Sequence, residues 1–203
     1  MVNVETNIDQ YSADFGRLQK SSRSWLSELR SEGMDKFIDI GFPTARKGNE
    51  KWKYTNIASI ARTHFNLARK ATVSLEDVKN AAPWDDSWVN VVFVNGMFIG
   101  TFSNEKYDGV EVVSLASEMR KDESGSSVRT HLGTLMDYSD DGFAALNTGL
   151  ISDGAVITIN DGVNCNSLIN LIFFSAGHSN SANHPRVLVV AGSGSSSTVI
   201  ENY

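Results

Sequence analysis

The sequence predicts an α+β chain: a helical N-terminal region over 1–70, a small α/β region with a β-hairpin over 71–150, and a β-rich region over 151–203. Three observations carry this. The first forty residues repeat their apolar side chains at helical spacing. An Asn95-Gly96 pair separates two runs rich in β-formers. After Ala155, short apolar segments alternate with Gly, Ser and Asn.

In the first region Ile8, Tyr11, Phe15 and Leu18 fall three and four residues apart and share one helical face. Trp25, Leu26 and Leu29 continue the pattern, Gly33 reads as a C-cap, and Pro43 ends the run. The aromatics of this hairpin of helices read as core. A polar turn, Thr44 to Asn49, leads into Glu50-Lys51-Trp52-Lys53-Tyr54-Thr55-Asn56-Ile57, where aromatics and lysines alternate. In an extended segment that alternation turns Trp52 and Tyr54 inward and the lysines outward.

Helices follow from about Ala58 and over Ser74 to Ala82, the latter opened by Ser74 and Asp77 in capping-box spacing. The period then changes. Trp88 to Val94 and Met97 to Phe102 flank Asn95-Gly96, and a type I′ turn needs positive φ at both central residues. Val110 to Val113 adds a strand. Leu115 to Arg120, Val128 to Tyr138 and Phe143 to Leu150 read as helices, with Asp122 to Ser127 as a polar linker. Beyond them, Val156 to Ile159, Leu168 to Phe174, Val187 to Val190 and Thr198 to Ile200 are β segments. Short strands with small polar turns suit a sandwich, a barrel or the first coils of a parallel β-helix. The chain is strand-like up to Tyr203, from which we expect a longer natural protein.

Composition narrows the function classes. Net charge is −6, and no block or stripe of basic residues invites nucleic acid or an acidic membrane surface. The N-terminus lacks the basic and apolar regions of a secretory signal, and no apolar run approaches the ~20 residues of a membrane span. A cytoplasmic protein is expected.

The candidates for chemistry are few. The single cysteine, Cys165, precludes an internal disulfide and a multi-thiolate site within one chain, and no adjacent His or Lys marks it as an activated nucleophile. His64, His131, His178 and His184 have no zinc-site spacing; His178 and His184 flank a Ser/Asn-rich loop. Val187 to Gly194 imitates the entry to a dinucleotide loop, but Ser197 replaces the third glycine and β-formers replace the helix, so Gly192 to Ser197 reads as a turn. No Gly-x-Ser-x-Gly elbow occurs. Asp85-Asp86 and Asp140-Asp141 read as loop acids or helix caps. No catalytic, cofactor-binding or metal residues are assigned, and the chain is not expected to be an enzyme.

Gly41-Phe42-Pro43-Thr44 followed by Glu50-Lys51-Trp52-Lys53-Tyr54-Thr55 resembles the N-terminal motif of SufD proteins, in the SufB/SufD family. Val92 to Phe98, Phe143-Ala144-Ala145-Leu146-Asn147 with Asp153-Gly154, and His184 to Val190 followed by Ser197 to Tyr203 are similar to later segments of that family, in the same order. The resemblance implies that residues 151–203 begin a right-handed parallel β-helix. It implies a non-catalytic scaffold subunit of the SUF iron–sulfur cluster assembly complex, acting with SufB and the ATPase SufC in the full-length context. The cluster would be handled by the full complex, with no cofactor in this stretch. The family-motif residues Glu50, Trp52, Lys53, Tyr54, Thr55, Asn95 and Gly96 are then expected to be structural.

Two other classes compete. A free-standing carbohydrate-type binding module needs exposed aromatics on a sheet face, and after Ala155 only Phe173, Phe174 and Tyr203 are available. A hydrolase using Cys165 or a histidine needs a base within about 3 Å of its nucleophile. An open β-helix end would also favour self-association.

Overall fold

The computed structural model describes residues 8–20, 22–43, 50–104, 107–121, 125–177 and 180–203. The polar turn expected at 44–49, part of the 122–127 linker and His178 lie outside them. Among the described residues the helices are α1 (Ile8–Gln19), α2 (Ser24–Ile40), α3 (Ala58–Arg62), α4 (Leu75–Ala81), α5 (Leu115–Arg120), α6 (Ser127–His131) and α7 (Gly142–Leu150). The strands are β1 (Asn66–Leu67), β2 (Val89–Val94), β3 (Met97–Phe102), β4 (Val110–Ser114), β5 (Gly154–Ile159), β6 (Asn164–Phe174), β7 (Ser181–Ala182), β8 (Arg186–Ala191) and β9 (Ser196–Asn202). No helix among them is long and apolar enough to cross a membrane. The chain divides into two compact units that interleave in sequence: Met1–Leu67, Gly133–Ile151 and Ser179–His184 in one, Ala68–Leu132, Ser152–His178 and Pro185–Tyr203 in the other.

In the first unit α2 buries Leu26, Arg30, Gly33, Met34 and Phe37 along one stripe. Tyr11, Phe37 and Phe42 meet edge to face, with centroids 5.1 to 5.9 Å apart, and Leu146 and Leu150 of α7 complete the core. Each fully buried side chain of this size contributes about 1.5–3 kcal/mol. Gly33 does not end the helix, as its isolation in the sequence suggested. It lies inside α2, where a Cβ would stand 2.7 Å from the backbone nitrogen of Gly149. The glycine permits backbone-to-backbone approach of α2 and α7. The cap is instead Gly41, at φ 66°, whose N–H donates to the Phe37 carbonyl. The two-residue strands β1 and β7 pair in parallel, a feature no periodicity announces.

The second unit holds two separate sheets, ordered β3-β2-β6-β9 and β4-β5-β8. The Asn95-Gly96 hairpin is present, with φ of 53° and 75° at its two central residues. β2 pairs antiparallel with β3 and parallel with β6, and β6 pairs parallel with β9. In the other sheet β5 pairs antiparallel with β4 and parallel with β8. Gly154 faces Arg186, and the offset of 32 residues holds along β5·β8. In β6·β9 Asn164 faces Ser196 at the same offset, but past an irregularity Leu168 faces Thr198 and Ile172 faces Asn202, an offset of 30. The sheets enclose Val91, Phe93, Ile157, Ile159, Ile169 and Leu171. The other face of β2 and β6 carries Val92, Val94 and Ile172, packed with Val78 of α4. Strand β2 is therefore buried throughout, as a strand covered on both faces must be. The Ser74–Asp77 capping box forms in full.

One helix is shorter than its pattern. Residues 128–138 were expected to be helical, but α6 stops at His131. Gly133 follows at φ 83°, a conformation that breaks the helix, and a Cβ there would meet the Leu29 side chain at 2.4 Å.

Candidate functional site

The family-motif segment is an exposed surface feature. Glu50–Trp52 forms a 3₁₀ turn, so the inward–outward alternation expected for Trp52 and Tyr54 does not arise. Trp52 is half-buried against Phe143, at 5.4 Å between centroids. Tyr54 is 90% exposed. Lys51 pairs with Asp140 at 3.1 Å, Lys53 pairs with Glu50 at 3.6 Å, and the Lys53 ammonium lies 5.4 Å from the Tyr54 ring centre. Thr55 donates its N–H to the Trp52 carbonyl, and the Asn56 side chain accepts from Ala58 N–H at the start of α3. Exposed ion pairs of this kind contribute little to stability.

Asn95 and Gly96 have a second use besides the turn. The Asn95 side chain is nearly buried and donates to the carbonyls of Arg69 and Ala176, each at 2.8 Å. Its Oδ1 accepts from Ala176 N–H at 2.9 Å. The residue that tolerates positive φ also ties the hairpin to the end of β6.

The Asp153-Gly154 corner is the most heavily used point of the second unit. One carboxylate oxygen of Asp153 accepts from Phe98 N–H. The other accepts from the Ser114 hydroxyl and Ala116 N–H, all three bonds at 2.9 Å. Its carbonyl accepts from Arg186 N–H at 3.1 Å. Gly154 has φ 146°, and a Cβ there would lie 1.8 Å from the Arg186 carbonyl oxygen. One acidic residue and one glycine thus fix β3, β4, α5, β5 and β8 to each other. The sequence reading placed the pair in a family pattern but assigned it no role.

Side chains also stack in columns across the parallel strands. Asn202 donates to Asn170 at 2.6 Å, Asn170 donates to Asn90 at 2.9 Å, and Asn90 donates to the Asp85 carbonyl at 2.8 Å. Asn90 and Asn170 are fully buried, so the column satisfies polar groups that burial would otherwise penalise. On the opposite face of the same strands Phe93, Phe173 and Tyr203 stack nearly parallel, at 4.5 and 4.7 Å. Both faces of Phe173 are covered, which leaves it no face for a sugar ring. An asparagine inside the apolar run Leu168 to Phe174 was the available signal for this column.

The groups weighed for chemistry lie apart from one another. Cys165 is buried and its thiol donates to the Ser167 carbonyl at 3.3 Å. His64 and His131 are exposed, while burial pushes His184 down to about 4. Asp141 caps α7 through the N–H groups of Phe143 and Ala144, and Asp85 accepts from Ser87. The Trp84 indole and Lys79 hold the Asp86 carboxyl below its usual range. Burial raises the Asp14 carboxyl, against the opposing pull of Arg17 and His64. The turn expected over Gly192 to Ser197 occupies Gly192 to Ser195, and Ser196 and Ser197 already belong to β9. Among the described residues no three His, Cys, Asp or Glu side chains are grouped to hold a metal ion.

Residues 1–171 match the family described as SufBD protein N-terminal region. The chain is 30% identical to an iron–sulfur cluster assembly SufBD family protein of Synechocystis sp., over 99% of this chain and 42% of that protein. A second SufBD family protein of the same organism is 25% identical, over 77% of this chain and 35% of its own length. The chain thus spans less than half the length of either relative.

Proposed function

The chain belongs to the SufBD family, and from that premise we propose that it is the N-terminal portion of a SufD-type scaffold subunit of the iron–sulfur cluster assembly machinery. The family match over 1–171 carries this reading. The chain works in the cytoplasm with SufB-like and SufC-like proteins and performs no catalysis of its own. The cluster is cargo of the complete complex, and this portion holds no cofactor. The lone thiol of Cys165, buried and bonded to a carbonyl, supports a structural role for the residue best placed to bind iron or sulfur.

The β-rich part forms the first coils of a right-handed parallel β-helix in this reading. The consecutive parallel pairs β5·β8 and β6·β9 support it, with strands meeting again after 30 to 32 residues. So do the register partners Asn90 with Asn170 and Phe93 with Phe173, because like residues stack when equivalent positions of neighbouring parallel strands lie over one another.

The test is co-expression with the SufB-like and SufC-like proteins of the same source, followed by purification through a tag on the SufC-like protein. The full-length product of the gene should be retained on the tagged complex. Recovery of that product only in the unbound fraction, with SufB-like protein still bound, would sink the assignment.

A further inference from the structure

Strands β3 and β4 are the outer strands of their sheets, and among the described residues each pairs on one side only. Both border one cleft of about 480 Å³. The buried Val89 of β2 lines it with Thr101, Tyr107, Asp108, Glu111 and Val112. The β3 edge is occupied at Phe98, whose N–H is taken by Asp153. The β4 edge is taken at its start, where Val110 N–H donates to the Tyr107 carbonyl at 3.0 Å, and is open at Val112.

The hydrogen bonds give the phase of that edge. Asn160 N–H donates to the Gly109 carbonyl at 2.8 Å, and the ladder continues with Glu111 opposite Thr158 and Val112 opposite Ile157. In an antiparallel pair alternate residues exchange both bonds and the others turn their backbone groups outward. Gly109, Glu111 and Val113 therefore address β5, and Val112 turns its N–H and carbonyl away from it. Among the described residues neither group has a partner. The Val110 and Val112 side chains pack on the core between the sheets, while Glu111 is exposed. Asp108 and Glu111 are the charged residues of the cleft, and no basic side chain among the described residues pairs with either.

We propose that the β4 edge takes up an extended segment of a partner protein in which apolar and basic residues alternate. A strand added to an open edge gains main-chain hydrogen bonds, and alternate side chains supply the specificity. Side chains on the inner face of the added strand lie over Val89 and beside Val112, and must be apolar. Side chains on the outer face lie beside Glu111 and near Asp108, and must be basic. This surface is independent of the assembly role proposed above.

The test uses fluorescein-labelled eight-residue peptides of alternating Val-Lys, Ser-Lys and Val-Glu, followed by fluorescence anisotropy. The Val-Lys peptide should bind at least tenfold more tightly than either of the others. Glu111→Lys should weaken it about tenfold. Val112→Pro removes the outward N–H and should weaken it as much, without changing the circular dichroism, since an edge strand tolerates proline where its N–H faces solvent. Equal binding of Val-Lys and Ser-Lys would mean charge attraction alone and overturn the proposal, as would unchanged binding by both variants. A concentration-dependent dimer in size-exclusion chromatography, lost in Val112→Pro, would make a second copy the occupant and overturn it too.

Discussion

Replacing Arg30 by methionine tests how the first unit is held. Arg30 is 5% exposed and lies on the buried stripe of α2. Its Nε and Nη2 donate to the Ile151 carbonyl at 3.1 and 2.5 Å, and its Nη1 donates to the Leu18 carbonyl at 3.3 Å and to the Ser22 hydroxyl. Both carbonyls belong to helix ends, Leu18 in the last turn of α1 and Ile151 at the C-cap of α7. Such carbonyls lack intrahelical partners and carry the negative end of the helix dipole. The guanidinium is thus a shared C-cap for two helices, supplied by a third. Methionine keeps most of the volume and removes every donor. The Leu18 carbonyl keeps the Ser22 hydroxyl at 2.8 Å, so one buried acceptor, the Ile151 carbonyl, loses its donors, at a cost of about 1–3 kcal/mol. Dehydration of the guanidinium, which pulls the Arg30 pKa down to about 10, offsets part of this. A net loss of about 1 kcal/mol is expected, or roughly 2–4 °C in melting temperature for a chain of this size. Arg30→Lys should recover about half, because one ammonium cannot fork between separate helix ends. Urea unfolding followed by circular dichroism and tryptophan fluorescence measures both. An Arg30→Met midpoint equal to or above that of the parent chain would show that dehydration cancels the bonds, and the argument would fail.

Three further outcomes follow from the same reasoning. Burial lowers His184 from 6.5 to about 4, so the unfolded chain binds the extra proton between those values and stability should fall as pH drops from 6.5 towards 4, by up to about 3 kcal/mol. His184→Asn should flatten that slope in urea midpoints taken at pH 7.5, 6 and 5; an identical slope would refute the assignment. Gly154→Ala forces a methyl against the Arg186 carbonyl and should abolish soluble folded protein, while Gly162→Ala, with open space around its Cβ, should cost only about 1 kcal/mol for its positive φ. Asn170→Ala strips two partners from the buried column and should cost about 2–4 kcal/mol in the same unfolding assay; a loss below about 0.5 kcal/mol would mean that water replaces the amide.

The elements visible in the sequence were those whose information is local. A hairpin turn requires positive φ at two adjacent positions, and Asn95-Gly96 supplies it. A capping box requires two side chains three residues apart, and Ser74 and Asp77 provide them. The failures occurred where a distant segment decides. Gly33 reads as a cap until α7, more than a hundred residues later, is seen to need its missing side chain. Trp52-Lys53-Tyr54 alternates as a strand would, yet a 3₁₀ turn there leaves Tyr54 in solvent. Asp153 looks like any turn aspartate, because its partners Phe98, Ser114 and Ala116 are far away in sequence. Asn170 offered a clue, since an amide inside an apolar run must find another polar group. Its partners, Asn90 and Asn202, could be chosen only once the strands were aligned.

The columns across β2, β6 and β9 have a consequence for how this sequence can vary. Phe173 lies between Phe93 and Tyr203, so an aliphatic side chain at any one of the three leaves a ring without a stacking partner. Changing all three together preserves contact at every level. The same holds for Asn90, Asn170 and Asn202, whose amides satisfy one another in series. Neutral drift should therefore move such positions in concert, with the column as the heritable unit. An inserted residue in the turns at 160–163 or 192–195 would leave the columns aligned but break the bonds between those turns, where Gly162 N–H donates to the Ser193 carbonyl and Asp161 accepts from Ser193 N–H. Inside a strand it would displace every later member of each column at once.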